Sequence, residues 1–573
     1  MAGSMAIFSC RDKRSHDTGL DTVAINPAFA TDPPIADTIT LQKLDKATDE
    51  GNCILKVTFP SRRIGSPYLA FMADEKKVVL RDDGVSPDEK NGDGVYTGIV
   101  TVDLEGLRQI QAQQGRDNGS KAVPTALFQG RFLLGISQVR PMDLASFFNG
   151  GIVPIHFPPF PPPVPLVDAV QANSVFVYAP SVVEDTSRTY DPCSNNGHKM
   201  GPWTFGFLMT QLANSTATGI SPSRFVLNWL LTYTQPQVVN NDPLDVRPNM
   251  PAFIHSWLVK SNGLTDSTLD LSIAPFRLMA IVNRLDLRSN TGYLGNGGNA
   301  GEARFVFTGL DSNCAPQPFN VIFEYGINKT TCSSIKAYAL QWYNLKNLTV
   351  GSPAYNTALQ QITDQFSLAN TNPAKPNGSS LDQLRTNEIV FGSSWELREF
   401  NIDSSSHMLF STTVKQTPQA QFNQQVILDS FFVQNAQKIK TNTHIVPLLY
   451  SFHGSDVNFL GGLAPVPPSF WAEPGATLTT NDTVREMFSL NTCNGCHNIE
   501  TGTLFRHVSP SLTFGNPATL SGFLTGITVT DPAEIPGTWQ FADLQRRAQD
   551  LINLVNAPCI ILPFQFRPLN MTH

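Results

Sequence analysis

Six prolines crowd into the nine residues Phe157-Pro158-Pro159-Phe160-Pro161-Pro162-Pro163-Val164-Pro165. Proline fixes φ, donates no backbone hydrogen bond and pushes the preceding residue toward extended conformations. Neither a helix interior nor a central strand can run through such a stretch, and it reads as stiff polyproline II. It serves either as an interdomain spacer or as a segment for a proline-recognising partner. As a spacer, over residues 146–168, it divides the chain into parts that build separate cores. At 573 residues a single core is unexpected in any case, and two to four domains is the natural division.

Charge narrows the setting. Only 15% of the residues are charged, against about 25% in an ordinary globular protein, which suits a secreted or envelope protein. The net charge of -7 has the wrong sign for a nucleic-acid partner, which demands a basic footprint. No apolar run approaches the roughly 18 residues of a membrane-spanning helix, so none is expected. At the start, Met5-Ala6-Ile7-Phe8-Ser9-Cys10 looks like the tail of a lipoprotein signal, with Cys10 as the lipid-accepting cysteine. The basic and most of the apolar parts of such a signal are missing. Residues 1–22 are therefore read as a residual leader, or as an ordinary leader with one cysteine.

From 23 to 145 the sequence reads as short strands, among them Ile54–Phe59 and Tyr96–Val102. The distinctive piece is the turn Asp82-Asp83-Gly84 through Asp88 and Gly92-Asp93-Gly94-Val95-Tyr96-Thr97-Gly98. It resembles the loop of β-sandwich modules in bacterial surface proteins, including the choice-of-anchor type, which implies a β-sandwich over 23–145. Asp82, Asp83, Asp88 and Asp93 could converge their oxygens on a hard cation such as Ca²⁺. The other reading is that Asp and Gly satisfy turn geometry, and strict EF-hand spacing is absent.

Residues 169–465 mix periodicities. Ser221-Pro222 opens an amphipathic helix through Phe225, Trp229 and Leu230, and helices are also predicted over 337–345, 355–366 and 422–439. Strands are predicted over 276–285, 303–307 and 320–325, with a hairpin over 395–414. Strands and helices without a βαβ rhythm suggest an α+β domain. Arg277, Arg284, Asp286, Glu302, Arg304, Glu324, Glu388, Glu396, Arg398 and Glu399 concentrate in or beside these strands. Alternation puts several on one sheet face, as cross-strand ion pairs on a solvated or covered face or as a polar cleft. Gly295 to Ala300 matches a loose dinucleotide pattern but runs into a strand, so it reads as a loop. No hydrolase, metalloprotease or Walker motif is present. Cys314 and Cys332 flank a predicted strand, and a disulfide between them is one expectation for an oxidising compartment. The pairing of Cys53, Cys193 and Cys559 is open.

The strongest chemical signal is Thr492-Cys493-Asn494-Gly495-Cys496-His497. C-x-x-C-H is the attachment signature of c-type haem: two thiols add to the vinyl groups and the next imidazole ligates iron. Predicted helices over 482–490 and 543–555 flank it, the outline of a mainly α, cytochrome c-like segment over 466–573. Zinc on Cys493, Cys496 and His507, with His497 as a fourth ligand, is an alternative, and so is a disulfide or a thiol redox pair. If haem c is bound, the candidate sixth ligands are His507 and Met571, with a residue of the central domain or an open position as the other outcomes.

Residues 200–560 resemble a group of secreted bacterial proteins that end in one such motif. The resembling segments are 201–206, 274–278, 301–307 and 384–388, then Glu500-Thr501-Gly502 and Leu520 to Gly526. The resemblance implies architecture and compartment (periplasmic, outer-membrane-anchored or extracellular) but no reaction. The expectation is an exported mono-haem c-type redox protein, electron carrier or haem oxidoreductase, with an unidentified redox partner. The rival is a cell-surface interaction protein whose C-x-x-C is a structural disulfide or zinc site.

Overall fold

The computed structural model describes residues 38–43, 52–58, 68–73, 76–101, 152–154, 164–288, 300–330, 332–414, 416–440, 444–465, 471–472, 474, 482–530 and 538–556. Cys10, Cys559, Met571, most of the proline run and most of the 295–300 loop lie outside them. The protein is of mixed α/β type and divides into two compact units, residues 1–162 with 553–566, and residues 163–552 with 567–573. No helix among the described residues is long and apolar enough to cross a membrane.

The first unit holds an antiparallel sheet of β1 (Thr38–Lys43), β2 (Asn52–Thr58), β3 (Tyr68–Ala73), β4 (Lys76–Arg81), β5 (Val95–Thr101) and β6 (Ile152–Pro154), in the order β3-β4-β5-β2-β1-β6. In β2 the alternate residues Cys53, Leu55 and Val57 are fully buried, the period-2 pattern of a strand with one covered face. The second sheet of the expected sandwich is not among the described residues.

The second unit is organised on an antiparallel sheet of β7 (Phe176–Val177), β8 (Phe276–Arg284), β9 (Glu302–Leu310), β10 (Pro316–Gly326), β11 (Leu381–Glu388), β12 (Glu396–Ile402) and β13 (Leu409–Thr412), in the order β13-β12-β11-β10-β9-β8-β7. The short β14 (Ala464–Pro465) also pairs with β12. Nearly every residue of β9 and β11 is buried, so both faces of the sheet are covered.

Register sorts the two faces. Ile281, Phe305, Phe323, Leu384 and Phe400 are partnered in one row across the strands. On that face Phe305 meets Phe366, Phe323 meets Phe205, and Phe400 meets Trp229. These partners sit on α1 (Phe205–Ala213), α2 (Pro222–Leu231) and α5 (Pro353–Ser367); α3 (Met250–Lys260) and α4 (Cys332–Asn344) lie between them in the chain. Ser221 caps α2 through the Arg224 amide, with Pro222 in the first turn, the arrangement its sequence predicts. One residue out of phase, Arg304, Glu324 and Gln383 form a polar row on the opposite face. That face is covered by the segment that carries the C-x-x-C-H motif: Asn320 donates to the Val508 carbonyl at 2.7 Å and Arg277 to the Ser511 carbonyl at 2.8 Å.

One expectation is corrected. Cys314 is bonded to Cys193, with 5.8 Å between their Cα atoms, not to Cys332. The reason is β10 itself: its 11 residues span about 36 Å at ~3.3 Å each, so its two ends cannot meet within the ~7 Å a disulfide requires. Of the charged residues beside the strands, Arg304, Glu324 and Glu399 share one face, whereas Glu388, Glu396 and Arg398 are out of phase with them, and Glu388 and Glu396 ion-pair with Arg247. The C-terminal segment carries short ribbons as well as helices among the described residues. Helices α7 (Asp482–Leu490) and α9 (Asp543–Asn556) stand where the periodicity predicts them, together with α6 (Val426–Lys440). Between α7 and α9 the chain forms short helical turns, α8 (Cys493–Cys496), Ile499–Thr501 and Gly522–Thr525, and two two-stranded ribbons, Val508–Ser509 with Thr519–Leu520 and Ile527–Thr530 with Thr538–Phe541. The ribbons follow from Thr- and Val-rich runs such as Ile527-Thr528-Val529-Thr530, which favour pleated backbone.

Candidate functional site

Helix α7 delivers the motif. Arg485, on that helix, is buried against Glu500 at 2.6 Å, which ties the helix to the chain beyond the motif. After Leu490 the chain reverses. Thr492 accepts from the Gly495 amide at 3.0 Å and donates to the Ser489 carbonyl at 2.7 Å, capping the single turn α8. A Cβ on Gly495 would stand 2.0 Å from the Ser489 carbonyl oxygen, so the reversal requires glycine at this position. Asn494 accepts from the Trp471 indole at 2.8 Å.

This turn brings Cys493, Cys496 and His497 together, all buried. Cys493 packs with Trp395, Leu397, Val414, Ala464 and Phe505, and its amide donates to Thr417 at 3.1 Å. Burial pushes the Cys493 thiol far above its ordinary value, with Glu399 adding to the rise and Arg385 opposing it. Neither Cys493 nor Cys496 is in a disulfide.

His497 is held by its surroundings. Its Nδ1 lies 2.8 Å from the Phe505 carbonyl. A carbonyl can only accept, so Nδ1 carries the proton and Nε2 keeps the lone pair. Asn387, on β11, donates to the same carbonyl at 2.6 Å and accepts from the Trp395 indole at 2.8 Å. Burial lowers the His497 pKa to about 4, helped by the nearby cations Arg385 and Arg304 and opposed by the Phe505 carbonyl. The imidazole is therefore neutral in the neutral pH range.

His507 lies on the motif as well. Its Nε2 is 3.3 Å from Cys496 Sγ and its Nδ1 is 2.8 Å from Ser521 Oγ. The rings of His497 and His507 are 4.5 Å apart. Two imidazoles with a metal between them, each nitrogen about 2 Å from it, would have ring centres about 6 Å apart. In this arrangement His507 faces the motif's own sulfur.

Beneath the motif lies the polar row of the sheet. Arg304 pairs with Glu302 at 2.5 Å and Glu324 at 3.0 Å, and Arg385 with Glu324 at 3.2 Å and Glu399 at 2.7 Å. All five are buried. Burial raises Glu324 to about 8, opposed by Arg304 and reinforced by Glu302 and Glu399. Farther along, Asp286 pairs with Arg284 at 2.9 Å and with Arg546 of α9 at 2.9 Å.

The acidic loop of the first unit is a separate place. Asp82, Asp88 and Asp93 bring carboxylate oxygens within 4.8 Å of one another, whereas Asp83 lies 3.6 Å from Arg81. Asp82 accepts the amides of Asp93 and Gly94, Asp88 that of Gly84 and Asp93 that of Val95, the bonding turn geometry requires. Among the described residues this is the one group of three such ligand atoms; the thiols and imidazoles of the motif form none.

Motif spacing identified Cys493, Cys496 and His497. It missed Asn387, Trp395, Ser521 and the Phe505 carbonyl, which only the sheet's tertiary packing places there; Asn387 does fall in one of the resembling segments. Compared with known protein families, with curated proteins and with solved structures, the chain matches none.

Proposed function

We propose that the turn Cys493–His497 is the redox centre of an exported protein and carries a covalently attached haem c, working as an electron carrier or haem oxidoreductase. The observation that carries this reading is the donor set. Two thiols and an imidazole stand in one turn, and the Phe505 carbonyl fixes the imidazole with Nε2 as its free donor. A ligating histidine characteristically donates its other ring N–H to such a partner, so the residues fit the group on this side. When bound, the haem supplies one-electron transfer at a potential set by its ligands and surroundings.

The chain's own residues do the rest. Phe505 and Asn387 hold the His497 ring, and burial keeps it unprotonated. Trp395 stacks on Phe505 at 5.4 Å and closes the site to water. Cys493 and Cys496 are 0% and 1% exposed, so thioether formation belongs to a stage before this segment packs on the sheet. The Cys193–Cys314 disulfide supports an oxidising compartment. The C-terminal segment is read as cytochrome c-like in its motif and flanking helices only.

A second reading rests on a different contact. Cys496 beside His507, with His507 oriented by Ser521, is the arrangement of a thiol with its base, which favours a dithiol–disulfide pair. One experiment separates the two. The protein is produced by export in cells with haem-attachment machinery, denatured, and stained for haem on a gel. A stained band that disappears in the Cys493→Ala, Cys496→Ala double variant establishes the haem. An unstained protein in which the peptide carrying Cys493 and Cys496 gains two hydrogens on reduction, apart from the two taken up by Cys193–Cys314, establishes the dithiol.

A further inference from the structure

Away from the motif, a cavity of about 280 Å³ opens between α3 and the turn that joins β9 to β10. Its floor is aromatic: Phe253, Trp257 and Phe391, with Phe253 at 5.5 Å from Phe391 and 5.8 Å from both Phe276 and Phe319. Trp257 is fixed by its indole N–H, which donates to the Asp270 carbonyl at 3.1 Å. At the rim stand the neutral groups Asn249, Ser256 and Gln317 and two charges, Lys260 and Asp311.

The two charges are not equivalent. Asp311 is committed to its own turn, where one carboxylate oxygen accepts the amides of both Asn313 and Ala315 at 2.8 Å. Lys260 reaches only the Ser312 carbonyl, at 3.5 Å, and has no ion pair among the described residues. An ammonium at the mouth of an aromatic recess selects for an anion attached to an apolar body.

Size fixes the body. A cavity of about 150 Å³ accepts benzene, and a water-sized group occupies about 30 Å³. The cavity here therefore holds one aromatic ring with three or four further heavy atoms. A ring on the Phe253 edge continues the herringbone of phenylalanines, which prefer edge-to-face neighbours.

We propose that this cavity is a binding site for a small aromatic monocarboxylate, its ring among Phe253, Trp257 and Phe391 and its carboxylate on Lys260. The site is independent of the motif and stands whether or not that turn carries haem.

The probe is phenylacetate, titrated calorimetrically into the whole 573-residue chain, with its neutral amide as control. Ligands of this size bind with dissociation constants near 1 mM or tighter. Lys260→Met should weaken the acid at least fivefold and leave the amide unchanged. Ser256→Trp, which fills the mouth, should abolish binding of both, with the far-ultraviolet circular dichroism of each variant matching wild type. No saturable binding by the wild type, equal affinity for acid and amide, or full binding by Ser256→Trp would each overturn the proposal.

Discussion

His444 offers a quantitative test of how the motif segment is held. Its side chain is 3% exposed, its ring lies 5.7 Å from Phe488 of α7, and neither ring nitrogen has a hydrogen-bond partner among the described residues. Burial alone lowers its pKa from 6.5 to about 4. The sign follows from proton counting. Below pH 6.5 the unfolded chain binds a proton here that the folded chain refuses, so stability is intact above pH 6.5 and falls as pH drops toward 4. Over the full window the difference amounts to about 3 kcal/mol, at ~1.4 kcal/mol per pKa unit. Between pH 7.5 and 5.0 it amounts to about 2 kcal/mol. The perturbation is His444→Leu, which removes the titration and keeps an apolar side chain against Phe488. All seven tryptophans lie in residues 163–552, so urea unfolding followed by their fluorescence reports on this unit. Wild type should lose about 2 kcal/mol more than the variant on going from pH 7.5 to 5.0. Other groups that titrate in this range, His497 included, act on both proteins and cancel. Equal losses in the two proteins would refute the reasoning.

Other outcomes can be checked directly. Gly495→Ala forces a methyl onto the Ser489 carbonyl and should lower the unfolding free energy by about 2–4 kcal/mol, read from urea midpoints. Arg385→Met removes the cation of buried Glu399, while Glu324 keeps Arg304, and should cost about 3–5 kcal/mol; the double variant with Glu399→Gln should recover at least half of that in the same assay. Non-reducing peptide mapping should yield one fragment joining Cys193 to Cys314. Cys193→Ser should lower stability by about 4–5 kcal/mol, since the bond closes a loop of 121 residues. A wild-type unfolding curve in that variant would show that the bond does not constrain the unfolded chain.

The sequence was legible where a pattern is local. Period-3.6 runs located α2, α5, α7 and α9, and β-rich runs located β8, β9, β10, β12 and β13 of the large sheet but not β7 or β11. The motif, being contiguous, was found whole. What escaped depends on register. Ten charged residues beside strands suggested that several share a face but not which: Glu388 and Arg398 differ from Glu399 and Arg385 by an odd step, so the pleat sends them to opposite sides. Strands buried on both faces give no hydropathy alternation to decide this. Cys314 found Cys193 rather than Cys332 because a strand separates cysteines that sequence places close together. Asn387, Trp395 and the Phe505 carbonyl reach His497 only when the segment lies on the sheet, and no spacing rule anticipates a carbonyl.

The large sheet wears a row of phenylalanines on one side and the row of Arg304, Glu324, Arg385 and Glu399 on the other, and the second side is covered by residues synthesised after the sheet. During translation or passage across a membrane, the helices that cover the aromatic side, α1, α2 and α5, are already made when β12 emerges. The side awaiting residues 482–556 is then wetted by charges that water tolerates. A partly delivered chain thus exposes little that adheres to its neighbours while the motif segment is still to come. The solvent that must leave when the segment arrives is the cost of that protection. It falls on the buried ion pairs, which makes docking of the motif segment a step that follows formation of the sheet.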